Sequence, residues 1–134
     1  MSEELKKAKE ELKSLADKAN KSAKAKAFLK KWIGKYDGKV ISWKLDAQGE
    51  EANFHLIFTP QGVKFGEGVY PSPDMTWVTD IATWRGLYSG EKSTKDVMSS
   101  QKLWIWGNFN EWNRFHDLRV VLGEAKPVKA KTAD

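Results

Sequence analysis

The 134-residue sequence predicts an α+β fold, a five-stranded, mostly antiparallel but mixed sheet covered by helices. Three observations lead there. Apolar residues recur at helical spacing near both ends and alternate in the middle. The runs AQGEE, PQG and YPSPD are turn signals that cut the middle into short strands. All seven Trp lie between Trp32 and Trp112, which places one hydrophobic core in that span.

The first element is an amphipathic helix over 2–19, with Leu5, Ala8, Leu12, Leu15 and Ala19 on one face. Ser2 is its cap, and Glu3 and Glu4 suit the positive end of the helix dipole. The run NKSAKAKA either continues this helix or hinges it. From Ala27 the pattern revives with Phe28, Leu29, Trp32 and Ile33, and Gly34 and Gly38 stop it. KVISWKLD, NFHLIFT and VKFGEGVY then read as an antiparallel meander. Gly66 and Gly68 allow a bulge or a close approach in the third strand. MTWVT is a fourth strand. Asp80 caps a helix bearing Ile81, Trp84, Leu87 and Tyr88, which Ser89 and Gly90 end. Ser93 or Thr94 starts a short helix with Val97 and Met98. LWIWGNF is a fifth strand, and its return after helices suggests a parallel pairing. Asn108 or Asn110 caps a last helix carrying Trp112, Phe115, Leu118 and Leu122. The division is a single domain over 1–125, with a charged N-terminal helix over 1–26 and a flexible polar tail over 126–134.

Composition narrows the function. With 40% apolar and 12% aromatic residues the chain is globular, not disordered. It has no Cys, which removes thiol chemistry and thiolate metal sites and fits a reducing cytoplasm. The charged start lacks a signal peptide's apolar run, and no stretch approaches a membrane span. The net charge of +5 comes from lysines clustered toward the two ends. Those clusters read as a solvated helix face and tail, or as a weak attraction to anionic membrane surfaces. Nucleic acid is disfavoured, because the aromatics do not interleave with the lysines. His55 and His116 have no metal-ligand spacing. Asp74, Asp80, Glu91, Asp96, Glu111 and Asp117 fall at helix starts or on polar faces. No catalytic residue, metal site or cofactor is expected.

Strand parity places Ile41, Trp43, Leu45, Phe54, Leu56, Phe58, Leu103, Ile105 and either Met75 or Trp77 toward the helices. Trp104 and Trp106 then point to the other face with Ile57 and Val78. An apolar face of that size calls for a cover. The N-terminal helix, a second copy in a homodimer, and a membrane or second ligand are the three candidates.

Several segments resemble the sterol carrier protein type two family of lipid-binding domains. PDMTWVTD is similar to its strand entering a helix, and WRGLYSGEKS to the helix that follows. KLWIWGN resembles a "KLKIKGN"-like strand at Lys102, Leu103, Ile105, Gly107 and Asn108. NFHLIFTPQGVKFGEG fits the central hairpin, and residues 27–45 the first helix and strand. Three departures stand out. DVMSSQKL lacks the family's Gly, Trp104 and Trp106 replace lysines, and the TAD ending is not a peroxisomal signal.

The resemblance implies helices on one face of the sheet, an apolar tunnel between them, and no catalysis. The implied partner is a fatty acid, acyl-coenzyme A, sterol or other apolar lipid. Trp77, Trp84, Leu87, Tyr88, Met98, Leu103, Ile105, Phe109, Trp112 and Phe115 would line the tunnel. An empty apolar cavity of roughly 300 Å³ costs on the order of 7 kcal/mol. The tunnel should therefore be partly closed by Trp rings or filled by a lipid. The same rings also read as ordinary core. A protein–protein interaction module using the outer Trp face is the alternative function.

Overall fold

A computed structural model describes residues 1–92, 96–97 and 103–126. Helix α1 (Glu3–Asn20) is capped by Ser2, whose Oγ accepts from the Leu5 N–H at 3.2 Å. A second cap, Ser22, accepts from the Ala25 N–H at 3.1 Å and starts α2 (Ala23–Ile33). NKSAKAKA is thus a hinge. The chain then forms β1 (Lys39–Ala47), β2 (Glu50–Thr59), β3 (Gly62–Glu67) and β4 (Met75–Asp80). After α3 (Ile81–Ser89) come β5 (Leu103–Gly107) and α4 (Asn110–Val121). The short helix expected from Ser93 or Thr94, and Met98 with it, falls largely outside the described residues; Val97 is buried. The tail expected from 126 also lies outside them, apart from Lys126.

The strand order is β3-β2-β1-β4-β5. Gln48 and Gly49, both at positive φ, make the two-residue turn that sets the β1–β2 register, with Ala47 opposite Glu50. The sheet is mixed as expected, but its parallel pair is β1 with β4. The last strand, β5, pairs antiparallel with β4 at an edge. The reason is the link over 68–74, which carries the chain from β3 past β2 and β1. Strands β3 and β1 run the same way, so β4 enters beside β1 in parallel. In that link the Tyr70 ring lies 5.2 Å from His55, a residue on the outer parity of β2. The link therefore crosses the sheet on the side away from the helices. His55 is a satisfied imidazole, with Nδ1 3.1 Å from the Gly68 carbonyl oxygen.

Inner parity is realised along every strand. Ile41, Trp43, Leu45, Phe54, Leu56, Phe58, Met75, Trp77 and Leu103 are buried, so both Met75 and Trp77 face inward. Leu5, Ala8, Leu12, Leu15 and Ala19 of α1 join the same core. The expected option of this helix covering the outer face is therefore overturned. Its apolar stripe is consumed on the inner side. The outer Trp104 and Trp106 remain 56% and 58% exposed. Asn20, the last residue of α1, clips the other sheet edge. Its Oδ1 accepts from the Val63 N–H at 2.7 Å, and its Nδ2 donates to the Val63 carbonyl at 2.9 Å.

Candidate ligand-binding site

Asp80 sets the direction of α3. Its Oδ1 accepts from the Thr83 N–H at 2.7 Å, and Gly90 closes the helix in the left-handed region. Trp84, Leu87 and Tyr88 then fall on one side, with the Trp84 and Tyr88 rings stacked at 4.8 Å. Helix α4 starts differently from expectation. Phe109 is the cap residue, and the Asn108 side chain instead accepts from the Asn110 N–H at 3.0 Å. Trp112 and Phe115 point down onto the sheet.

The rings make one continuous layer. Trp77 and Trp112 are 4.1 Å apart, Trp112 and Phe115 5.4 Å, and Phe109 lies 6.5 Å from Trp77. Trp43 and Phe58 complete it, 5.5 Å and 5.7 Å from Phe115. Sequence parity identified those two as core without connecting them to the pocket residues. Ile105 sits opposite Trp77 in the β4–β5 register, and Leu103 opposite Thr79. Leu103 is buried, Ile105 half-buried, and Phe109 39% exposed. The indole N–H groups of Trp43, Trp77 and Trp84 are buried without an acceptor.

Leu87 and Tyr88 also line a cleft of about 590 Å³ between the C-terminal ends of α3 and α4, with Ser89, Gly90, His116, Arg119, Gly123, Glu124, Ala125 and Lys126. A second hollow of about 570 Å³ adjoins it, sharing Tyr88, Ser89, Arg119 and Glu124 and adding Glu10, Glu11, Ser14 and Lys18 of α1. Arg119 lines both and is only 4% exposed. Its guanidinium carbon lies 3.7 Å from the Tyr88 ring centroid, and Nη2 donates to the Tyr88 carbonyl at 2.6 Å. Its Nε–H is buried without an acceptor. Burial pushes the Tyr88 hydroxyl up to about 12, against a smaller opposite pull from Arg119.

Sequence reasoning missed Arg119, although it sits four residues after Phe115 and seven after Trp112, on the apolar stripe. A charged residue there is the signal. Glu111 was misread too. It is 3% exposed, not a solvated first-turn acid. The Trp32 indole donates to its Oε1 at 3.3 Å. Lys39 Nζ pairs with its Oε2 at 2.9 Å.

His116 lies at the rim of the first cleft, its Nε2 2.8 Å from the Lys126 carbonyl oxygen. Among the described residues, no three His, Asp or Glu side chains converge as metal ligands. No helix among them is long and apolar enough to cross a membrane.

No protein-family model matches the chain, and no curated protein matches its sequence. Solved structures do match its shape. Sterol carrier protein 2 from Yarrowia lipolytica superposes with a TM-score of 0.59 at 16% identity, over 85% of this chain and 88% of that one. The UbiJ-SCP2 ubiquinone synthesis protein gives 0.62 at 16% identity, over 86% and 95%. The sec-alkylsulfatase Pisa1 from Pseudomonas sp. gives 0.51 at 10% identity, covering 69% of this chain but 14% of that one. The mixed sheet order, the helices on its inner face and these superpositions agree: the chain has the fold of the sterol carrier protein 2 domains.

Proposed function

We propose that this protein binds an apolar lipid, for storage or transfer, between its sheet and helices α3 and α4, without transforming it. One observation carries the reading. The inner face of a sterol-carrier-type sheet meets α4 through a layer of Trp and Phe rings. That layer has the composition of an apolar ligand pocket. Trp77, Trp84, Leu87, Tyr88, Met98, Leu103, Ile105, Phe109, Trp112 and Phe115 are the proposed lining.

Affinity comes from removing alkyl or polycyclic surface from water, at ~25 cal/mol per Å². The rings touch one another, so entry requires them to turn aside. The half-exposed Phe109, at the start of α4, is the natural first mover. The three indole N–H groups without acceptors add a polar preference. An unsatisfied buried donor costs roughly 1–3 kcal/mol. A lipid oxygen placed beside one of them recovers part of that cost.

Native mass spectrometry of the purified protein, with Trp fluorescence during titration of a fatty acid, an acyl-coenzyme A and a sterol, tests the proposal. A bound lipid mass or a saturable fluorescence change with at least one of them is expected. An unliganded mass together with flat titrations of all three would overturn it.

A further inference from the structure

Arg119 holds an unusual charge. Burying a guanidinium costs several kcal/mol unless a counter-ion or a full set of acceptors offsets it. Arg119 is 4% exposed, yet it forms none of the ion pairs among the described residues. The Tyr88 ring covers one face, and the Tyr88 carbonyl takes one Nη2 hydrogen. The Nε–H has no acceptor. Of the acids around it, Glu124 pairs with Lys18 and Glu11 with Arg85, while Glu10 is exposed to water and forms no ion pair with Arg119. A cation without an ion-pair partner thus stands at the wall of a cleft of about 590 Å³, its unpaired Nε–H buried behind that wall.

The cleft also touches the proposed lipid pocket. Leu87 and Tyr88 line it, and Tyr88 stacks on the buried Trp84. We propose that this cleft seats the carboxylate end of an amphipathic ligand, with Arg119 as its counter-ion and Leu87 and Tyr88 leading the alkyl part inward. This deepens the lipid-binding reading and rests on it for the path of the chain. Charge sets the class of the head. Glu124 lines the cleft, and Glu10 and Glu11 stand just beyond Arg119. That surround repels a dianion more than a monoanion, so one carboxylate fits better than a phosphate monoester. A carboxylate in the cleft pairs with the guanidinium through charge-assisted bonds, and it takes the buried Nε–H as the side chain turns toward it. Lys126, which also lines the cleft, adds positive field.

The test is a titration of the full chain with octanoate, octanol and acetate, following the Arg119 Nε–H resonance by NMR and affinity by calorimetry. Octanoate should shift that resonance saturably; octanol and equimolar acetate should not. Arg119→Gln should weaken octanoate roughly tenfold or more while leaving octanol unchanged, and Arg119→Lys should retain part of the difference. Circular dichroism melts check that both variants fold, and the Lys variant decides if the Gln variant does not.

Octanoate that binds without moving the Arg119 signal, or equally well to Arg119→Gln, overturns the carboxylate site and leaves lipid binding standing. Acetate matching octanoate overturns the amphiphile. Silence with every alcohol, sterol and fatty acid overturns both readings. An octanoate response at Arg119 with no binding of neutral lipids supports this site and counts against the enclosed pocket.

Discussion

Tyr88 joins the two candidate regions, with Trp84 on one side and Arg119 on the other. Its hydroxyl is pushed up to about 12 by burial, whereas an unfolded tyrosine ionises near ~10. The neutral side chain therefore contributes stability that is fully present below pH ~10 and is lost as pH rises toward 12. The total is on the order of 3 kcal/mol, from about two pH units of linkage. Urea midpoints between pH 9 and 12 should fall accordingly, and Tyr88→Phe should remove that component of the fall. The same substitution should remove a phenolate absorbance step near pH 12. Identical pH profiles for Tyr88→Phe and the parent would contradict the assignment.

At the level of elements, single polar contacts decide how the pieces join. Asp74 ties three strands. Its N–H donates to the Val40 carbonyl at 2.8 Å, its Oδ2 accepts from the Val40 N–H at 2.7 Å, and its carbonyl accepts from the Asn108 N–H at 2.9 Å. Gly107 makes room for this. It sits at φ +99°, and a Cβ there would lie 2.1 Å from the Asp74 carbonyl oxygen. Gly107→Ala should destabilise by about 2 kcal/mol or more, read as a lower denaturant midpoint at unchanged slope. Asn20 serves the other edge by pairing with Val63 as a strand would. That satisfies groups which an open edge would offer to another chain. Asn20→Ala leaves both Val63 groups without this partner and should cost ~1–3 kcal/mol.

Across the whole molecule, the two Trp groups have opposite energetic weight. Trp77 is fully buried beneath Trp112 and Phe109, whereas Trp104 is 56% exposed on an edge strand. Trp77→Ala should cost about 3–5 kcal/mol, while Trp104→Ser should change stability by roughly 0.5 kcal/mol or less. Paired chemical denaturation curves measure both. Comparable losses would mean that Trp104 is covered in solution, and sedimentation velocity would then show whether a second copy covers it.

Much of this architecture was legible from spacing. Local chemistry determined the Ser2 and Asp80 caps, the Gly90 stop, the β1–β2–β3 meander and the inward parity of Trp43, Phe54 and Trp77, because each depends on neighbours within a few residues. Arg119 was missed, although its charge stands on the apolar stripe of its helix. Three features depended on contacts far apart in sequence. The link over 68–74 placed β4 parallel to β1 and laid Tyr70 on the outer face. The inner core took up the stripe of α1, leaving Trp104 and Trp106 exposed. Helix α4 met α3 so that Arg119 reached Tyr88 across 31 positions. The sequence by itself determined which faces are apolar. Only the tertiary structure decided which apolar face meets which, because periodicity gives a side chain's direction but not the partner that buries it.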